Sequence, residues 1–231
     1  MSSPQPRVGV LRFPGACDDR DALWALRALD ADAVFVWHTE TELPSLDAVV
    51  LPGGFSYGDY LRCGAIARFA PAMEAVATFA GEGGLVLGIC NGFQILCESG
   101  LLPGVLRRNE SLSFVCRDVP LVVERSDTPF TARCTEGEQL LIPVKHGEGS
   151  WYADDDLYEE LEARRQIVFR YSEPVNGSRA DVAGVVNEGG NVMGLMPHPE
   201  HAVDPLLGSA DGALILTSLV ESARARALQA V

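Results

Sequence analysis

The sequence predicts an α/β protein: a single domain over residues 1–231 built on a mostly parallel, doubly wound sheet with a mixed β insertion. Short apolar runs alternate with stretches of helical spacing through the first hundred residues. After Leu102 the alternation gives way to consecutive strand-like runs. A chain of 231 residues, 47% hydrophobic and 22% charged, is long enough to bury one sizeable core.

The elements follow in order. Arg7 to Phe13 reads as a first strand, and Asp19 to Leu29 as a helix with Leu23, Leu26, Leu29 and Trp24 at helical spacing. Ala33 to Trp37 and Ala48 to Leu51 are strands, the latter stopped by Pro52-Gly53-Gly54. Ile66 to Phe79 is a predicted helix, Leu85 to Ile89 a strand and Asn91 to Glu98 a helix. Strands are expected within Leu112 to Val123 and over Gln139 to Val144, then a helix from Asp154 to Arg164. Ala183 to Met196 reads as a hairpin turning at Gly189-Gly190, and Asp211 to Leu228 as a closing amphipathic helix. In such a sheet a site belongs at the carboxyl ends of the strands, where Cys90, His198 and the Gly53-Gly54 loop all fall.

A net charge of −14 repels nucleic acid and anionic membrane surfaces, so neither is expected as a partner. Met1 to Arg7 has no basic region followed by an apolar stretch, and no apolar run approaches the ~18 residues of a membrane span. A cytoplasmic location is expected. None of the six cysteines forms C-x-x-C, so no zinc or other metal site is predicted.

Cys90 stands apart from the other five. It lies in Gly88-Ile89-Cys90-Asn91-Gly92-Phe93-Gln94, directly after an apolar run and at the start of a helix. This is the cysteine form of the strand-to-helix nucleophile elbow, in which small neighbours let the corner close and glycine accepts the backbone angles. Helix N–H groups beneath the sulfur favour a thiolate and can hold an oxyanion. Cys97, two helical turns on, and Cys63 read as structural thiols. The Gly53-Gly54 loop reads as a plain turn, or as a cradle for an oxyanion; the Lys-Ser or Lys-Thr of a nucleotide-binding loop is absent.

Of four histidines, His198 is the candidate base. Glu200 follows two residues on, and in an extended segment the two would share a side, letting the carboxylate orient the imidazole. His146, in Lys145-His146-Gly147-Glu148-Gly149, competes for the role, but its glycines suit a loop that binds ligand.

G-x-C-x-G-x-Q followed by a distant H-P-E resembles the class I, triad-type glutamine amidotransferases. Pro52 to Ala65, Gly88 to Gln94, His146 to Gly149, Val185 to Glu188, Met196 to Glu200 and Leu207 to Gly212 are more similar to the branch of that family serving purine biosynthesis. The resemblance runs from Phe13 into the last helix and implies a flavodoxin-like fold. It implies hydrolysis of glutamine through a Cys90 thioester, with His198 and Glu200 completing the triad and Gly54 and Asn91 supplying oxyanion N–H groups. Gln94, Lys145, His146, Gly147 and Glu148 would hold the amino-acid end of glutamine. No cofactor is implied in this chain. The implied partners are a synthetase subunit, which uses ATP and magnesium to convert formylglycinamide ribonucleotide to its amidine, and a small third subunit.

Two departures from the family pattern are visible. The loop Phe13-Pro14-Gly15-Ala16-Cys17-Asp18 is one residue short and lacks an Asn before Cys-Asp, and His201 stands where the family usually carries Arg. Three other readings stay open. They are an amidotransferase subunit of another pathway such as anthranilate synthesis, a stand-alone γ-glutamyl cysteine hydrolase, and a non-catalytic regulatory domain of the same fold.

Overall fold

The computed structural model describes residues 5–229. Its elements run β1 (Arg7–Arg12), α1 (Asp19–Ala28), β2 (Asp32–Trp37), β3 (Ala48–Leu51), α2 (Pro71–Gly81), β4 (Leu85–Ile89) and α3 (Asn91–Glu98). Then come β5 (Val105–Arg107), β6 (Val115–Val123), β7 (Gln139–His146), β8 (Ser150–Tyr152), α4 (Asp155–Ala163), β9 (Ile167–Tyr171), β10 (Val182–Val186), β11 (Val192–Leu195) and α5 (Gly212–Gln229). Among the described residues nine strands form one sheet in the order β2-β1-β3-β4-β11-β10-β9-β6-β7, while β5 and β8 pair separately.

Strands β2, β1, β3, β4 and β11 are mutually parallel, and from β11 onward every pairing is antiparallel. The later β region thus extends the parallel sheet rather than forming a separate layer. Composition follows environment. β3, β4 and β11 are buried along their whole length and read Ala-Val-Val-Leu, Leu-Val-Leu-Gly-Ile and Val-Met-Gly-Leu, as strands covered on both faces must. In β7, Leu140, Ile142, Val144 and His146 are buried and alternate with more exposed residues, so one face looks outward.

Several boundaries differ from expectation for identifiable reasons. Ala70 precedes Pro71 and is extended (φ −63°, ψ 139°), because the proline ring disfavours the helical region in the residue before it. The predicted helix from Ile66 is therefore split into a 3₁₀ turn at Ala67–Phe69 and α2, with Pro71 in its first turn. Trp24 is 60% exposed, leaving Ala22, Leu23, Ala25 and Leu26 as the inward face of α1. β5, β8 and β9 were not expected; β5 and β8 are three residues each, while β9 (Ile-Val-Phe-Arg-Tyr) is an ordinary β-branched and aromatic run. The Gly189-Gly190 turn is as predicted, with Gly190 at φ +72°.

Parallel pairing puts the ends of β1, β3, β4 and β11 on one edge of the sheet. β7 runs in the same direction, because three antiparallel steps separate it from β10, which is itself antiparallel to β11. The loops after β1, β3, β4, β7 and β11 therefore converge.

Candidate active site

Cys90 joins β4 to α3 at φ +50°, ψ −103°, a strained conformation for a residue with a side chain. The strain sits on Cys90 and not on its flanking glycines. Those serve close approach: a Cβ on Gly92 would lie 2.0 Å from the Leu51 carbonyl oxygen, and one on Gly88 would lie 2.5 Å from Leu96 Cδ1. The Cys90 N–H donates to the Leu195 carbonyl at 2.8 Å, which ties the corner to β11. The sulfur stands 3.8 Å from the Lys145 carbonyl oxygen of β7.

His198 follows β11 and is held by its own N–H, which donates to the Pro143 carbonyl at 2.8 Å. The segment beyond it does not meet the extended condition under which the two side chains would share a side; it is a 3₁₀ turn over Pro199–His201, started by proline. That turn still brings Glu200 Oε1 within 2.7 Å of His198 Nδ1, both side chains being fully buried. Nδ1–H donates to the carboxylate, so Nε2 is the ring atom left for proton exchange; it is buried and makes no hydrogen bond among the described residues. Burial alone would lower the imidazole pKa. The charges of Glu200 and Cys90 outweigh it and hold the group at about 10.

Beside Cys90 is a cavity of about 190 Å³. Gly54, Cys90, Gln94, Lys145, His146, Gly147 and Glu148 all border it, so the structure gathers these sequence-predicted residues around one space. Gly54 sits at φ +132°, and a Cβ there would lie 2.4 Å from the Cys17 nitrogen, so only glycine lets this loop close. Asn91 opens α3 and its side chain braces the loop. Its Oδ1 accepts from Ser56 N–H at 3.2 Å and Ser56 Oγ at 2.5 Å, and its Nδ2 donates to Asp59 at 3.2 Å and Gln94 Oε1 at 2.8 Å. Gln94 Nε2 in turn donates to the Glu148 carbonyl at 2.6 Å.

Two of the predicted binding residues present something other than a free side chain. The Lys145 ammonium points to Asp18 Oδ1 (2.5 Å) and His201 Nε2 (2.9 Å). His146 is buried, with Nδ1–H donating to Asn109 Oδ1 at 3.0 Å and Nε2 accepting from Asn176 Nδ2 at 3.4 Å. Burial and the nearby His198 charge push its pKa down to about 4.

Sequence reasoning missed Asp18, Asp59, Asn109 and Asn176. Asp59 and Cys63 both line the cavity; burial, Asp59 and Glu148 push the Cys63 thiol far up, leaving it protonated. Asp59 lay inside the glycine-rich segment that sequence analysis singled out, whereas Asn109 and Asn176 had no local signal. The donor atoms of Asp18, His198, Glu200 and His201 lie within 4.8 Å of one another, a spacing able to hold a metal ion, but Lys145 already brings positive charge to Asp18.

Comparison with known proteins bears on this geometry. The family described as the CobB/CobQ-like glutamine amidotransferase domain matches residues 5–211. A Salinibacter ruber protein named phosphoribosylformylglycinamidine synthase subunit PurQ is 56% identical over 224 residues, covering 93% of this chain and 95% of the relative. A Rubrobacter xylanophilus protein of the same name is 57% identical over 218 residues, covering 94% and 99%. A chain of a Thermotoga maritima structure described as PurLQS superposes with a TM-score of 0.88 at 45% identity, covering 94% of this chain and 98% of that one. A Thermotoga maritima glutamine amidotransferase shares the fold with a TM-score of 0.59 at 18% identity, covering 96% and 97%. The chain thus belongs to the CobB/CobQ-like glutamine amidotransferase domain family.

Proposed function

We infer that this chain is the glutaminase subunit of a phosphoribosylformylglycinamidine synthase, acting in purine biosynthesis. The observation that carries the reading is the placement of His198, bonded to Glu200 through Nδ1 with Nε2 free, beside a cysteine held at a strained elbow. The high identity to subunits of that name supports the pathway.

The Cys90 thiolate attacks the side-chain amide carbon of glutamine, and the oxyanion is held by N–H groups of Asn91 and Gly54. Protonated His198 gives its proton to the departing nitrogen, which leaves as ammonia, and a thioester remains. Neutral His198 then takes a proton from water as it attacks the thioester; glutamate leaves and the thiolate is restored. Gln94, His146, Gly147, Glu148 and the Lys145 main chain shape the pocket for the amino-acid end.

Ammonia free in neutral water becomes mostly ammonium, which is not a nucleophile. It is handed to a synthetase subunit that binds ATP and magnesium and converts formylglycinamide ribonucleotide to the amidine, within a complex that includes a small third subunit. Phe55, Tyr60, Leu61, Leu112 and Phe114 are exposed, and Phe55 and Phe114 also border the cavity, giving such a partner an apolar rim to cover. The location is cytoplasmic; no helix among the described residues is long and apolar enough to cross a membrane.

The test uses the assembled complex. A diazo-oxo-norleucine label should map to Cys90, and Cys90→Ala should abolish glutamine-dependent synthesis while sparing ammonia-dependent synthesis. Loss of both activities in a folded, assembled variant would refute the division of labour. Faster turnover of glutamyl peptides than of glutamine would instead favour a stand-alone hydrolase.

A further inference from the structure

Behind the triad lies a second buried carboxylate. Asp18 is 3% exposed, and its Oδ2 stands 3.7 Å from His198 Nδ1, beyond hydrogen-bond range but well within reach of a strong Coulomb interaction. Its Oδ1 is 2.5 Å from Lys145 Nζ. Lys145 Nζ also lies 2.9 Å from His201 Nε2. His201 Nε2 lies 3.5 Å from Asp18 Oδ1, 3.6 Å from Glu200 Oε1 and 3.9 Å from Asp21 Oδ2. Gly53 leaves this cluster no slack: a Cβ there would fall 2.5 Å from Asp18 Oδ2 and 2.6 Å from His198 Cε1. Both departures of the sequence from its family pattern, the loop before Asp18 and His201, meet here.

We propose that Lys145, seated by Asp18 and His201, is a positioning residue that governs how readily His198 releases its proton. The inference rests on the glutaminase reading, which asks two opposite things of His198. It must be protonated to expel ammonia and neutral to activate water. Glu200 and Asp18 together place two negative charges against one imidazole. Uncompensated, they would hold the proton so firmly that the thioester could not be hydrolysed at useful rate. The Lys145 ammonium cancels one of them without touching the imidazole.

The charged and titratable groups that face His198 are Glu200 and His201 from its own turn, Asp18 from the loop after β1, Cys90 from the elbow and His146 from β7; Lys145 of β7 reaches it through Asp18. Asp21 of α1 reaches the cluster through His201. Lys145 responds to the same charges. Burial opposes its positive form, but bonding and charge from Asp18, then the charges of Glu200 and Cys90, raise its pKa. Asp18 is held well below the usual carboxylate range against burial, by His201, His198 and Lys145.

The deciding experiment titrates His198 in the full chain by NMR of histidine labelled at Cε1, alongside the pH dependence of kcat for glutamine hydrolysis. Asp18→Asn should lower the His198 midpoint and Lys145→Met should raise it, each by about one pH unit. Lys145→Arg should leave it near wild type, and the double variant should return toward wild type. The limb of the kcat profile that rises with pH should move with the midpoint. Opposite shifts separate a charge effect from structural damage, which would move both variants alike. Shifts of the same sign, or none, overturn the proposal. Should Lys145→Met fail to fold, the near-isosteric Asp18→Asn decides alone: an unmoved or raised midpoint refutes it. A wild-type chain that turned over no glutamine, alone or in complex, while showing these shifts would sink the glutaminase reading and leave the charge arrangement standing.

Discussion

His146 and His198 are both buried near Cys90, yet they fall on opposite sides of neutrality, at about 4 and about 10. Burial lowers both, so the difference comes from what each ring touches. His146 is held between the side-chain amides of Asn109 and Asn176, which satisfy a neutral ring but offer no charge to a cation. His198 is held by the carboxylate of Glu200 with Asp18 behind it. The two are also coupled, since the His198 charge helps keep His146 neutral. Partner chemistry, more than sequence motif, sets which ring is suited to serve as a base. Both histidines adjoin glycine- or proline-bearing segments and both are brought to the ends of strands running the same way.

The bluntest way to break that contrast is His198→Ala. General acid–base help is worth about 10²–10⁴-fold, so kcat for glutamine hydrolysis should fall by that range. His146→Gln should leave kcat closer to wild type. A larger kcat loss in His146→Gln than in His198→Ala would reverse the assignment.

Glu200→Gln asks a narrower question. It keeps the 2.7 Å contact geometrically possible but removes the charge and lets the amide impose either tautomer on the ring. The kcat loss should be intermediate between wild type and His198→Ala, and the His198 midpoint should fall. A kcat equal to wild type would mean that the carboxylate has no part in the reaction.

The two rings should also tilt stability in opposite directions with pH. For His146 the folded value lies below the unfolded 6.5, so between 6.5 and about 4 the unfolded chain binds more protons at this residue. Stability is then lost as pH falls through that window, by about 3 kcal/mol in full. For His198 the folded value lies above 6.5, so its contribution is fully present below 6.5 and is lost as pH rises through about 10. Denaturant titrations across pH should show His146→Gln flattening the acid slope only. An unchanged acid slope would mean that His146 is not the residue responsible.

How much of this was legible in the sequence depends on how local each signal is. Cys90 and its glycines, Glu200 next to His198, and the buried strands β3, β4 and β11 all declare themselves within a few residues. The strained backbone at Cys90 did not, and the steric reason for Gly92 lies with Leu51 of β3, far off in the chain. The partners of His146 lie 37 and 30 residues distant in the chain, and Asp18 lies 127 from Lys145. Such pairings depend on how the loops after β1 and β7 converge, and no periodicity records that. Lys145 illustrates the point: the family resemblance implies a place at the amino-acid end of glutamine, and nothing local in the sequence foretells that its ammonium meets Asp18 and His201.

The gentlest perturbation converts one environment toward the other. Asn109 Oδ1 accepts from His146 Nδ1 and from the Gly149 N–H, each at 3.0 Å, while its Nδ2 donates to the carbonyls of Ser113 and His146. Asn109→Asp preserves the shape and both acceptor contacts but places a carboxylate against His146, as Glu200 is placed against His198. An opposite charge at that range favours the imidazolium by roughly 1–3 pH units, so the His146 midpoint should climb from about 4 toward the ordinary histidine value. Two carbonyls lose their donor, so some stability is lost, but the acid slope should shrink as His146 comes to tolerate a proton. Histidine NMR titration reads the midpoint directly. If it stays near 4 in a folded variant, burial and the charge on His198 hold His146 neutral whatever its partner, and the contrast between the two rings would have to be attributed to position instead of to amide versus carboxylate.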